Sequence, residues 1–182
     1  VFVLAALFVA ALPANARAEP RVGLGGNVGV GGAVAFAPGL APEVMVGYTF
    51  PSPEIQIFPN KVFSVDLQWD VWHMILAGIS TGPNFSMQTY FHFHIPITKL
   101  IRFGVAPGMK FGGAYLVQFG VPFGILGYVM RVGPEFLVPN RHFALGIYLR
   151  PQITAAIVPS LSPVTIFQML AELTWTFYPR AL

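Results

Sequence analysis

The sequence predicts an all-β fold: a closed antiparallel up-and-down transmembrane β-barrel of eight strands, with ten as the alternative count, following an N-terminal leader. Three observations predict it. Bulky apolar residues alternate with small or polar ones at a period of two through most of the chain, the signature of strands with two unlike faces. Hydrophobic residues make up 55% of the 182 positions and charged residues 9%, whereas the surface of a water-soluble domain is about 25–35% charged. Pro and Gly are dense, at 17 and 19 residues, and they punctuate strands far more readily than long helices.

The elements follow in order. Residues 1–12 are unbroken apolar sequence, followed by Pro13, Asn15 and the small-residue pairs Ala14/Ala16 and Ala16/Ala18. This reads as a secretory signal peptide over residues 1–18, cleaved after Ala18, with the barrel domain occupying 19–182. About 12 apolar residues are too few to span a bilayer as a helix. From Arg21 to Phe36 the even positions carry Val22, Leu24, Val28, Val30, Val34 and Phe36, and the odd ones carry mostly Gly and Ala. Val44, Val46, Tyr48 and Phe50 then oppose Glu43, Met45, Gly47 and Thr49. Pro51-Ser52-Pro53 and Pro59-Asn60 read as turn signals, so residues 51–61 are expected as a long connection. In the clearest segment Phe63, Val65, Leu67, Trp69 and Val71 oppose Ser64, Asp66, Gln68 and Asp70. Phe85, Met87, Phe91, Phe93 and Ile95 oppose Ser86, Gln88, Tyr90, His92 and His94, and Phe103, Val105, Met109 and Phe111 oppose Arg102, Gly104, Ala106, Gly108 and Lys110. Residues 114–126 are ambiguous, and a second phase starts near Gly127, with Arg131, Gly133 and Glu135 opposing Met130, Val132 and Phe136. Two further strands place Leu145, Ile147 and Leu149 against Tyr148 and Arg150, and Phe167, Leu173, Trp175 and Phe177 against Gln168, Glu172 and Thr174. Counting residues 114–126 separately gives nine strands. Single-chain bacterial barrels have an even number, so this region is assigned to a loop or a strand extension.

Polarity fixes which way the faces point. In a water-soluble barrel the second face would need Lys and Glu; here it carries Gly, Ala, Ser, Thr, Gln, His and a few charges, which suit a packed or damp lumen. Val65, Leu67, Trp69, Phe91, Phe93, Phe103, Leu173, Trp175 and Phe177 are therefore assigned to lipid, where a closed sheet satisfies its own backbone. Residues 111–130 carry no charge and compete as a membrane helix, but Gly112, Gly113, Gly120, Pro122, Gly124 and Gly127 interrupt them. With a leader, no Cys and a last strand rich in outward aromatics, the chain resembles the small bacterial outer-membrane β-barrels: the OmpA-type transmembrane domain and its stand-alone relatives. The resemblance spans roughly residues 21–177. It implies an outer-membrane location, lipid contact and recognition of the C-terminal strand by barrel-assembly machinery, with Leu173, Trp175, Phe177 and Tyr178 matching that strand's aromatic ending. A monomer is expected.

The inward face holds the candidate site. Asp66, Gln68, Asp70, His92, His94, Arg102, Lys110, Arg131, Glu135, Arg150 and Glu172 all fall on it. A hairpin centred near Ser80 would bring Asp66, Gln68 and Asp70 opposite His92 and His94. Two imidazoles and a carboxylate are chemistry suited to a divalent ion, but the preferred reading is a hydrogen-bonded network without metal or cofactor, because buried polar groups must be paired in any case. Opposite charges in a narrow lumen should pair and plug the barrel or gate it. Gly78-Ile79-Ser80-Thr81-Gly82 matches the nucleophile-elbow spacing, but that motif requires a helix after the turn, and a strand is expected there. The +3 charge is diffuse, so nucleic-acid binding has no support. The expectation is a non-enzymatic barrel serving membrane integrity or passing very small solutes; the alternatives are a lipid-modifying barrel enzyme and a barrel that binds through its loops.

Overall fold

The computed structural model describes residues 21–39, 41–76, 79–80, 84–116, 121–140, 142–157 and 164–179; the assigned leader lies outside them. Eight long strands form one sheet: β1 (Arg21–Phe36), β2 (Glu43–Asn60), β3 (Phe63–Leu76), β4 (Asn84–Pro96), β5 (Ile101–Leu116), β6 (Val121–Leu137), β7 (Phe143–Ile157) and β8 (Val164–Phe177). Each pairs antiparallel with its sequence neighbour, and β1 pairs with β8, so the sheet closes on itself. Ile79–Ser80 adds a two-residue pairing onto the end of β3. Closure leaves no free edge, and eight strands enclose a space just wide enough for side chains to fill.

The faces separate as the alternation requires. Val44 is 70% exposed and Tyr128 72%, while Asp66, Lys110 and Arg131 are at 0%. Trp69, Phe93, Leu173 and Phe177 are exposed, and Val65, Leu67, Phe91, Phe103 and Trp175 share their outward phase, half-buried by neighbours. Large apolar side chains outside and ions inside invert the arrangement of a water-soluble protein. Such a belt is stable only against acyl chains, and the barrel is read as spanning a membrane.

Two segments depart from the sequence reading. Residues 51–60 are not a connection but the second half of β2. At the prolines, Phe50 and Pro51 together face Val28 of β1, and the ladder to β3 jumps from Thr49–Trp72 to Glu54–Gln68. This is a β-bulge, a place where a residue without an N–H costs the ladder least. Ser52 supplies replacement bonds: its Oγ donates to the Phe50 carbonyl at 2.7 Å and accepts from the Val71 amide at 3.2 Å. The extra residue switches the inward phase from odd positions (Met45, Thr49) to even ones (Ser52, Glu54, Gln56, Phe58). Of the ambiguous residues 114–126, 114–116 end β5 and 121–126 begin β6, and 117–120 lie outside the described residues. No phase change occurs at Gly127, because Phe123 and Ile125 face inward together with Val129, Arg131 and Glu135; the lumen at that end is apolar. The Pro38-Gly39 turn between β1 and β2 places Gly39 at φ 79°, the left-handed geometry that glycine adopts without cost.

Candidate functional site

Along the barrel axis the lumen divides into three tiers. At one end, near residues 37–42, Ala33, Met45, Phe123, Ile125, Ala156 and Ile166 form an apolar cap. The middle and opposite tiers are ionic, and every one of the inward polar residues assigned from the sequence lies there, buried. Each arrives by the same local logic: on a strand, residues two apart share a face, so Asp66, Gln68 and Asp70 line one wall on β3 and His92 and His94 another on β4.

Arg131 of β6 anchors the middle tier. Its Nη1 and Nη2 donate to Glu54 Oε1 and Oε2 at 3.0 and 3.1 Å, while Nε and Nη2 donate to Glu172 Oε2 and Oε1, both at 3.1 Å. Nη2 also meets Gln68 Oε1. The guanidinium lies between two rings, 4.6 Å from the centroid of Tyr90 and 5.2 Å from that of Tyr148. Planar, bidentate and stacked contacts of this kind suit arginine and not lysine. Arg150 reaches Asp70 Oδ2 at 2.7 Å and Glu172 Oε1 at 3.2 Å; Lys110 Nζ donates to Gln152 Oε1 at 3.0 Å. Gln68 bridges Asp70 and Glu172 at 2.5 and 3.0 Å, and Gln88 links Asp70 to the Tyr90 hydroxyl. Three carboxylates (Glu54, Asp70, Glu172) face three cations (Lys110, Arg131, Arg150), so this tier is charge-balanced. Removing one partner from such a set would leave a buried charge uncompensated.

The third tier lies toward the short turns at residues 61–62 and 97–100. His92 Nδ1 sits 2.6 Å from Asp66 Oδ2, and His94 Nδ1 lies 2.9 Å from Glu135 Oε2. Ser64 donates to Asp66 Oδ1 at 2.5 Å and contacts His94 Nε2 at 2.9 Å. Glu135 is also ion-paired with Arg102, whose Nη2 lies 2.7 Å from Oε2, and accepts from the Tyr148 hydroxyl. Gly104 makes room for this packing: a methyl group there would collide with His92 Nε2 and the Tyr148 ring. The β3–β4 hairpin is centred near residue 78, so Ser64 pairs with His92 and Asp66 with Tyr90. Asp66 therefore reaches His92 diagonally, while Gln68 and Asp70 belong to the Arg131 tier.

Several network members had no sequence assignment. Glu54 and Gln56 were hidden by the prolines, although Ser52, Glu54 and Gln56 do alternate with Pro53, Ile55 and Ile57. Gln56 donates to Glu54 at 2.8 Å and accepts from the Tyr178 hydroxyl at 3.2 Å. Phe58 stacks on His94 with centroids 5.0 Å apart. Tyr148 carried the signal in its inward phase. Gly78, Thr81 and Gly82 of the nucleophile-elbow spacing lie outside the described residues; Ile79–Ser80 runs antiparallel against β3, and a strand opens at Asn84.

No family profile and no curated protein matches the chain. Among solved structures it is similar to Neisserial surface protein A, with 14% identity, a TM-score of 0.52, and coverage of 84% of this chain and 95% of that one. It is also similar to the outer membrane protein OprG from Pseudomonas aeruginosa, with 9% identity, a TM-score of 0.50, and coverage of 91% and 98%. At these identities the likeness is one of fold: the chain has the closed eight-stranded architecture of small outer-membrane barrels.

Proposed function

We propose that this outer-membrane barrel is a non-catalytic, internally plugged protein that contributes to membrane integrity and does not conduct solutes in its resting state. The observation that carries this reading is the Arg131 tier, where one guanidinium ties β2, β3, β6 and β8 together across the lumen through Glu54, Gln68 and Glu172. A solute crossing the barrel would have to break that set of charge-assisted bonds, and eight strands leave no second path around it. Charge outside the lumen supports an orientation. Among the described residues Arg21, Lys61 and Lys99 lie at the short-turn end and Glu43 at the other. Short turns face the periplasm in this class of barrel, and basic groups there suit anionic headgroups.

Conductance tests the reading. In planar bilayers the native barrel gives no resolved steps, whereas Arg131→Ala, which deletes the bar across the lumen, gives a small cation-selective leak through the exposed Glu54 and Glu172. Stable steps from the native protein at the same protein density would refute the plug.

A further inference from the structure

In the histidine tier the carboxylates of Asp66 and Glu135 face Arg102 and the two imidazoles. We infer that His92, His94 and Glu135 form a binding site for a divalent transition-metal ion of the zinc type, seated between His92 Nε2, His94 Nδ1 and a Glu135 oxygen.

Four observations carry it. First, ligand atoms of the three residues lie within 4.8 Å of one another, and all three residues are buried. Bonds of about 2.0 Å in tetrahedral geometry separate ligand atoms by roughly 3.3 Å; His92 Nε2 and Glu135 Oε1 are 3.3 Å apart, and His94 Nδ1 is 3.1 Å from Glu135 Oε1. Second, His92 Nε2 is fully buried and makes no hydrogen bond, although its ring is fixed from the other side by Asp66 on Nδ1. A carboxylate on the far nitrogen is the standard support for a metal-bound imidazole.

Third, His94 meets an acceptor at both ring nitrogens, so its ring needs either a second proton or a metal ion at Nδ1. Ser64 has one hydroxyl hydrogen and gives it to Asp66, a carboxylate that can only accept. Ser64 Oγ must then accept from His94 Nε2–H, which leaves the Nδ1 lone pair of a singly protonated ring facing the Glu135 carboxylate at 2.9 Å. A cation between Nδ1 and Glu135 turns that repulsion into two bonds. Ser64 and Asp66 then hold the two rings from behind, while Arg102 and Tyr148 hold the carboxylate. Fourth, there is access. A cavity of about 420 Å³ at the short-turn end is lined by His94 and Arg102 on its inner side and by Lys61, Thr98 and Lys99 at its mouth. Both lysines are exposed, where salt screens them beyond about 8 Å.

The test uses the full barrel without an affinity tag, refolded in detergent, cleared of metal by chelation and titrated with Co²⁺ as a coloured substitute for Zn²⁺. The expected result is a saturable tetrahedral d–d band at one equivalent, bleached by Zn²⁺, with affinity at least tenfold weaker in His92→Gln and His94→Gln variants that still migrate as folded, heat-modifiable barrels. Zinc-edge absorption on the native protein needs no variant and should report two imidazole nitrogens. No saturable band, an all-oxygen shell, or folded variants that bind as tightly as the native protein would each overturn the site.

Discussion

The apolar cap of the lumen and its ionic tiers are built by opposite chemistry. The apolar cap packs Met45, Phe123, Ile125 and Ile166 by area alone, a force without direction that tolerates many shapes. The ionic tiers hold Arg131, Glu54 and Glu172 at fixed angles and distances. The cap supplies burial, whereas the ionic tiers supply registration: each bidentate contact joins strands far apart in sequence and is satisfied at one stagger only. A slip of one residue would turn Glu54 or Glu172 toward lipid, so the ionic tiers also act against wrong pairings.

Truncation in the Arg131 tier and in the cap should separate these roles. Arg131→Met keeps much of the volume and removes the charge, stranding two buried carboxylates; a loss of roughly 3–5 kcal/mol is expected, read as a shift in the urea midpoint of unfolding from lipid vesicles. The triple variant Arg131→Met, Glu54→Gln, Glu172→Gln should recover much of that loss, because no buried charge then lacks a partner. If the single and triple variants were equally destabilised, the packing of the guanidinium between Tyr90 and Tyr148 would outweigh its charge. In the cap, Ile125→Ala should cost about 2–4 kcal/mol through lost burial and the cavity left behind, while bilayers stay electrically silent because the Arg131 tier is intact. A leak from the cap variant would place the barrier in the wrong tier.

The same contrast explains what the sequence made legible. Polarity alternation alone orients the faces of β3, β4 and β8, because the described central positions of each strand obey one phase and the outward set (Val65, Leu67, Trp69, Leu173, Phe177) differs sharply in size and polarity from the inward set. Alternation fails at both places where local chemistry contradicts it. Phe123 and Ile125 point into the lumen although bulky apolar residues elsewhere point out, since the cap is itself apolar; polarity therefore carried no information about their direction. In β2 the prolines mimic a turn while forming a bulge. That one misreading removed Glu54 from the candidate site and with it the partner that completes Arg131. Pairing among inward residues was beyond the sequence for another reason: which Asp meets which His depends on hairpin register, and a hairpin centre displaced from residue 80 to near 78 transfers Gln68 and Asp70 from the histidines to Arg150 and Glu172.

The bulge also gives the mildest and most discriminating prediction. If the extra residue in β2 is dictated by the network, with Glu54 drawn inward to Arg131 and Ser52 satisfying the interrupted ladder, then the proline ring at position 51 is a convenience of backbone entropy. Pro51→Ala should then cost only about 0.4–1 kcal/mol, through the greater freedom of the unfolded chain, and the lumen should stay closed. Ser52→Ala in the same background should add about 1 kcal/mol by removing its bonds to Phe50 and Val71. Should Pro51→Ala by itself open a conductance comparable to that of Arg131→Ala, the ring would be imposing the bulge. The order of cause would then be reversed: backbone shape would set the inward phase of β2, and the ionic tier would form as its consequence.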